Sequence, residues 1–228
     1  CEISGFGRTG PYAKRGGFDL IAQGMAGLMS ITGESPGRRP VKVAAPISDI
    51  NAGILAAMGV CAAYSNMLKT GLGQKVDTSL FESAIVQTYW QSAIAFATGH
   101  APQPLGSAHP LNAPYQSFQT KDGWINIGAA NQSNWLRLIR VISAQTLNDD
   151  ERFCSNAQRM KNLPTLIEIL NSYLIKDTTQ NWLYKMEIAK VPAGPVNDIL
   201  QMHSDPQVLA RDMVIELEHT TAGKVKTL

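Results

Sequence analysis

Residues 41–71, VKVAAPISDINAGILAAMGVCAAYSNMLKTG, carry the strongest secondary-structure signal in the chain. The first five of these residues predict a short strand that Pro46 closes. Asp49 then precedes an apolar segment that predicts a helix from Ile50 to about Lys69, ended by a glycine. Small residues recur along this helix, so a second helix or a ligand can approach its backbone closely.

The neighbouring segments extend the pattern into alternating strands and helices. Apolar residues three and four apart predict a buried helix at Phe18–Ile31, and a strand at Gln74–Leu80 leads into another apolar helix at Phe81–Ala97. Strand, helix, strand, helix is the order of a βαβ layer. The second half of the chain predicts a β-hairpin (118–127), helices (133–142, 163–174 and 179–189), an edge strand (191–196) and a last strand (214–218).

Composition narrows the classes of function. The 228 residues are 44% hydrophobic and 17% charged with a net charge of +2, which is typical of a globular protein. The longest basic run is the pair Arg38-Arg39, so no nucleic-acid partner is expected. The three cysteines are far apart, and we expect buried thiols in a reducing compartment without a metal site. With no uninterrupted apolar stretch of about 18 residues, we expect a soluble, cytoplasmic protein without a membrane partner.

The ends of the sequence are abrupt. The chain begins with Cys1-Glu2-Ile3-Ser4, which is typical of a strand entering a glycine loop, and it stops in further strand-like sequence. We therefore expect that this chain is a fragment of a longer protein.

Two motifs could carry chemistry. Residues 5–10 match the G-x-G-x-x-G pattern, but Pro11 and then Gly16-Gly17 follow, so no helix can grow there and a dinucleotide site is not predicted. Asp49 lies next to the start of the long helix, whose first amides favour a negative charge. The ordinary interpretation of such an aspartate is a helix cap. A reactive carboxylate is the alternative, because ligands of α/β folds collect at strand ends.

The order of many short motifs resembles the class III (CaiB/BaiF-type) coenzyme A transferase family. The resemblance covers essentially the whole chain, and within the family it is strongest to members that act on succinate and related dicarboxylates. The motifs that carry it are Gly5–Tyr12, Gly17–Asp19 with Gln23, Gly27–Met29, Thr32-Gly33, Pro46–Asp49 with Gly53, Thr70–Asp77, Ala113–Gln116, Lys121–Gly123, Val191–Val196 and Asp205–Leu209.

The resemblance implies an α/β fold with a Rossmann-like large domain, incomplete here, and a smaller α+β domain, in an interlocked homodimer. It divides the chain into part of the large CoA-binding domain (1–97), a linker with an active-site loop (98–114), the small domain (115–204) and a return linker (205–228). Asp49 falls on the family's nucleophile, and Arg15-Gly16-Gly17-Phe18 on the segment that lines coenzyme A. His109-Pro110-Leu111-Asn112 falls on the substrate loop, where some members carry a run of glycines.

The implied reaction moves CoA from an acyl-CoA, with succinyl-CoA as a candidate donor, to a free carboxylic acid through an aspartyl anhydride and an aspartyl-CoA thioester. It needs no permanent cofactor and no metal, because the CoA thioester is itself a substrate. The alternatives are an acyl-CoA racemase or epimerase of the same family and a non-catalytic CoA-binding module. Against the racemase, the positions of its histidine and glutamate bases align with Phe18 and Asn131.

Overall fold

The computed structural model describes all 228 residues, which divide into two compact units, Cys1–Ser107 and Ala108–Leu228. Each unit is described by itself. The finer division into a large domain, a loop, a small domain and a return linker stays a prediction.

The first unit contains a pair of parallel strands and five helices. Strands β1 and β2 pair in parallel, with Ile3 opposite Thr78. Of the two strands predicted for the βαβ layer, only the one at Gln74–Leu80 forms, as β2, and its partner is β1 at the start of the chain. In chain order the elements are β1 (Glu2–Ser4), α1 (Asp19–Met25), α2 (Leu28–Ile31), α3 (Ile47–Thr70), β2 (Asp77–Ser79), α4 (Leu80–Val86) and α5 (Tyr89–Thr98).

Helix α3 packs through its small residues. Ala52 and Ala56 are buried, and Gly59 faces Val76 so closely that an added Cβ would lie 2.7 Å from Val76 Cγ1. Part of the small-residue surface of this helix therefore packs within the first unit, while Gly53, Ala57 and Ala62 are exposed. The opposite side is apolar and open, because Ile54 and Met58 are each more than half exposed.

Helix α3 is also long and apolar enough to cross a membrane, judged by length and composition alone. Only 17% of its most apolar 18-residue window is buried within the chain.

The second unit is built around an antiparallel sheet in the order β3-β4-β5. Alternate residues of its strands, Phe118, Ile125 and Ile127, point into a core that they share with Trp135 and with a stripe on α8. The elements are β3 (Tyr115–Gln119), β4 (Trp124–Gly128), α6 (Gln132–Val141), a 3₁₀ turn (Gln145–Asn148), α7 (Asn156–Lys161), α8 (Leu163–Leu174), α9 (Thr179–Ile188), β5 (Ala193–Pro195), α10 (Ile199–His203), α11 (Pro206–Ala210), β6 (Ile215–His219) and β7 (Gly223–Thr227).

Several local predictions are wrong. Residues 41–45 pair with no strand, and the helix predicted at Phe18–Ile31 breaks at Gly27, whose φ of 86° is left-handed. The helix predicted at Phe81–Ala97 is likewise two helices, α4 and α5. The three cysteines are exposed free thiols rather than buried ones.

Candidate active site

Asp49 lies inside the first turn of α3, three residues after its N-cap, Pro46. The prediction that Asp49 precedes the helix is therefore wrong by one turn. Its side chain is exposed and makes no hydrogen bond or ion pair within the chain. A carboxylate at this position is next to the positive end of the helix dipole and remains open to an incoming group.

Ser48, the residue that precedes Asp49, is held by hydrogen bonds on both its N–H and its carbonyl. The Ser48 N–H donates to Oδ1 of Asp19 at 3.0 Å, and the Ser48 carbonyl accepts from the Ser83 hydroxyl at 2.6 Å. Ser48 and Ser83 are fully buried, and Asp19 is 9% exposed. Because the Ser48 carbonyl and the Asp49 N–H belong to one peptide plane, these two bonds fix the backbone from which the Asp49 side chain projects.

Asp19 also links this turn to the rest of the first unit. Its Oδ2 accepts from Gln23 Nε2 at 2.8 Å, and the Gln23 side chain in turn bonds both the N–H (2.9 Å) and the carbonyl (3.2 Å) of Val43. Pro46 offers α3 no side-chain cap, so Asp19 supplies the missing acceptor from 29 residues away. Asp19 and Ser83 are thus site residues that the sequence interpretation missed. One feature of the sequence could have revealed Asp19: it and Gln23 are polar residues four positions apart on a helix predicted to be buried, so their side chains lie on the same face of that helix.

The glycine loop approaches itself closely beside α1. A Cβ added to Gly17 would lie 2.8 Å from Gly5 Cα, and one added to Gly5 would lie 2.9 Å from the Gly17 nitrogen. Only glycines allow this contact, because real Cβ atoms essentially never come within 3.0 Å of a backbone atom. The contact brings residues 15–18 against the loop that follows β1.

The segment Arg15–Phe18 presents a cation and a ring to solvent. The Arg15 guanidinium lies 4.1 Å above the centre of the Tyr12 ring and has no carboxylate partner, and Phe18 is 80% exposed at the N-cap of α1. Phe18 offers no group that accepts a proton. The structure therefore brings the predicted CoA segment next to Asp19, which contacts the peptide before Asp49.

The predicted substrate loop, His109–Asn112, belongs to the second unit. The His109 N–H donates to the Tyr115 carbonyl at 3.0 Å, and the Leu111 N–H donates to His109 Nδ1 at 3.0 Å. Asn131, at the position that aligns with the racemase glutamate, is the N-cap of α6 and accepts from the Asn134 N–H at 2.8 Å.

Comparison with known proteins identifies the family to which this chain belongs. Residues 1–228 match CoA-transferase family III, and the chain therefore belongs to that family. The chain is 36% identical over 218 residues to the succinate–glutarate CoA-transferase of Agrobacterium fabrum, with 96% of this chain and 54% of the relative covered. It is 34% identical over 225 residues to human succinyl-CoA:glutarate CoA-transferase, covering 99% of this chain and 51% of the relative.

The solved structures agree on the fold. A CaiB/BaiF family protein from Brucella suis aligns with a TM-score of 0.81 and 33% identity over 99% of this chain and 62% of its own. A Mycobacterium tuberculosis protein at 22% identity, with a TM-score of 0.86, covers 99% of this chain and 60% of its own and supports the fold alone. The chain spans about half the length of the curated relatives it matches.

Proposed function

We propose that the complete protein is a CoA-transferase that uses Asp49 as its nucleophile. The observation that carries this proposal is an exposed, unpaired carboxylate that follows Ser48, whose N–H is bonded to Asp19 and whose carbonyl is bonded to Ser83. A nucleophile must be free to react and fixed in direction, and this arrangement meets both requirements.

In the proposed reaction each step exchanges one activated acyl group for another. The Asp49 carboxylate attacks the thioester carbonyl of the donor, forming a mixed anhydride and releasing CoA thiolate. The thiolate attacks the aspartyl carbonyl, so the donor acid leaves and an aspartyl-CoA thioester remains. The acceptor carboxylate then attacks the aspartyl carbonyl of this thioester, which forms a second mixed anhydride and releases CoA thiolate. The thiolate attacks the acceptor carbonyl of the anhydride, so the new acyl-CoA forms and the Asp49 carboxylate is freed. Water must be excluded throughout, since it would hydrolyse the anhydride.

Residues 15–18 are the proposed contact with coenzyme A. The Arg15 guanidinium is free of carboxylate partners and is suited to a phosphate, while the open space around Gly16 leaves its backbone accessible to a slender pantetheine chain. Exchanging Arg15 for Gln should raise the KM for the acyl-CoA and leave that for the free acid unchanged.

The relatives indicate which acids to test. Three of their names combine succinate or succinyl-CoA with glutarate, D-citramalate or mesaconate, and a fourth combines acetyl-CoA with oxalate. Glutarate, D-citramalate, mesaconate and oxalate each carry two carboxyl groups. We propose succinyl-CoA as donor and a dicarboxylate as acceptor. Incubating the complete protein with succinyl-CoA and each acid, with acetate as a monocarboxylate control, should yield a new acyl-CoA that chromatography resolves. Binding of CoA without any turnover would instead support a non-catalytic module.

The alternative reaction is epimerisation of the carbon next to the thioester carbonyl, which requires side chains that remove a proton from that carbon. This chain has no such side chain at the two positions that align with the bases of the racemases. Phe18 carries a phenyl ring, and the Asn131 side chain is engaged in capping α6. In heavy water a chiral 2-methylacyl-CoA should exchange its α-proton no faster than without protein, while CoA exchange into free acid proceeds. Rapid deuterium uptake without acyl transfer would instead favour the epimerase over the CoA-transferase.

We further propose a Rossmann-like large domain and an interlocked homodimer for the complete protein. The apolar, exposed side of α3 supports this, because a face with Ile54 and Met58 in solvent is typical of a surface that another part of an assembly covers. Sedimentation of the complete protein should give a dimer that persists on dilution, and a concentration-dependent monomer would contradict the interlocked arrangement.

A further inference from the structure

The segment that precedes β3 is tied to helix α7 by one asparagine. Asn156 Nδ2 donates to the Leu111 carbonyl at 2.9 Å, and the Ala113 N–H donates to Asn156 Oδ1 at 3.0 Å. The side-chain amide of Asn156 therefore satisfies two backbone groups of the segment, the carbonyl of Leu111 and the N–H of Ala113. This is the pattern that a neighbouring strand would supply, and it restrains the backbone of Leu111 and Ala113 together.

A buried arginine adds a second restraint one helical turn later. Arg159 is fully buried, and its Nε donates to the Ala113 carbonyl at 2.8 Å while Nη1 donates to the Phe153 carbonyl and the Gln132 side chain at 2.9 and 3.0 Å. Its guanidinium carbon lies 4.9 Å from the centre of the Trp135 ring.

No carboxylate neutralises this guanidinium, because every oxygen that Arg159 bonds is a neutral one. Burial lowers the pKa of Arg159, since desolvation disfavours the charged form. Nη2 has no partner either. A buried charge without a counterion is costly, and an apolar residue would fill the core at less cost. What Arg159 adds is a set of directed bonds that join the loop, α6 and the turn before α7.

The loop is also stiff in its own right. His109 bonds the backbone of Tyr115 and Leu111, its ring contacts the Tyr115 ring edge-on at 5.2 Å, and Pro110 fixes one φ angle. The segment contains no glycine. It therefore lacks the conformational freedom of the glycine runs implied at this place in some members of the family.

We propose that Asn156 and Arg159 are positioning residues that hold His109–Asn112 in one conformation, so that this segment is a fixed wall for the acceptor acid and not a moving lid. The proposal rests on the function proposed above and on the family resemblance, by which these residues fall on the substrate loop. A fixed wall selects acids by shape, because it cannot adjust to a longer or bulkier acceptor.

The test uses Asn156→Ala in the complete protein, with Gln158→Ala as the matched control. Gln158 lies on the same helix with an exposed side chain that makes no bond. Hydrogen exchange at the Ala113 amide should accelerate roughly 5- to 100-fold in Asn156→Ala, because a buried donor left without its acceptor costs about 1–3 kcal/mol, and it should not change in the control. Exchange in β4 should stay the same in both proteins, which shows that the fold is intact.

Kinetics separate positioning from a general structural effect. Asn156→Ala should raise the KM for the acceptor acid severalfold and widen the range of acids accepted, while formation of the covalent adduct from donor acyl-CoA alone keeps its wild-type rate. Asn156→Asp keeps the acceptor for the Ala113 N–H, so exchange at that amide should stay close to wild type. Arg159→Lys should resemble Asn156→Ala if it folds, but the proposal does not depend on it.

Rapid exchange at the Ala113 amide in the wild-type protein would overturn the fixed conformation. If exchange accelerates in Asn156→Ala but the KM for the acceptor acid does not change, the proposal that His109–Asn112 contacts the acceptor acid is wrong. If the wild type transfers no CoA at all, the proposed function fails, and the exchange measurement still decides whether the segment is held.

Discussion

Removing the Asp19 carboxylate should release the first turn of α3 and disorient Asp49. In Asp19→Ala the Ser48 N–H loses its acceptor while its residue remains fully buried, and the helix start has no other side-chain cap. An unsatisfied buried donor costs about 1–3 kcal/mol, so we expect about 2 kcal/mol of local stability to be lost. That corresponds to roughly a 30-fold fall in protection of the amide.

Native-state hydrogen exchange followed by mass spectrometry measures this loss directly on a peptide that spans residues 47–52. Asp19→Asn keeps an oxygen acceptor for the Ser48 N–H and should lose much less protection. Asp198→Ala is the matched control, because Asp198 caps the short helix α10 in the second unit and its removal should cost about 1 kcal/mol there alone.

The same variants should differ in reaction rate. Adduct formation at Asp49 should slow at least tenfold in Asp19→Ala, since a small misplacement of a reacting group is expensive, while the KM for acyl-CoA changes little. Unchanged exchange in residues 47–52 of Asp19→Ala would refute the reasoning, whatever happened to the rate.

Two further predictions concern stability. Gly17→Ala should destabilise the first unit by about 1–3 kcal/mol, because the added Cβ would lie 2.8 Å from Gly5 Cα. Gly16 has open space around it, so Gly16→Ala should leave the stability unchanged, and thermal unfolding compares the two variants. Hydrogen bonds, above all from Lys185, lower the pKa of Asp177 from 3.8 to about 2, so its contribution to stability is full above pH 3.8 and is lost as the pH falls towards 2. Urea unfolding of Asp177→Asn should therefore depend less on pH over this interval than that of the wild type, and equal pH dependence would contradict the assignment.

Elements fixed by local chemistry could be predicted from the sequence. The hairpin turning at Lys121–Gly123 pairs β3 with β4, Thr178 caps α9 through the Asn181 N–H, and the two prolines confine residues 193–195 to the edge of the sheet. In each case the deciding residues are neighbours in the chain, so a short window of sequence contains the whole cause.

The parts that could not be predicted depend on distant residues. Asp49 resembled a cap because the true acceptor, Asp19, lies 30 positions earlier and contacts Ser48 only in the folded chain. Arg159 was indistinguishable from a surface arginine, since its burial depends on Ala113 and Phe153, which neighbouring sequence does not reveal. Spacing alone carries no information on such contacts.

The most direct test of the account is to trap the covalent intermediate. The complete protein, mixed with succinyl-CoA and then treated with hydroxylamine or borohydride, should carry its modification on Asp49 in the peptide map, and Asp49→Ala should show neither the modification nor CoA transfer. Modification of another carboxylate, with Asp49→Ala still active, would contradict the central claim.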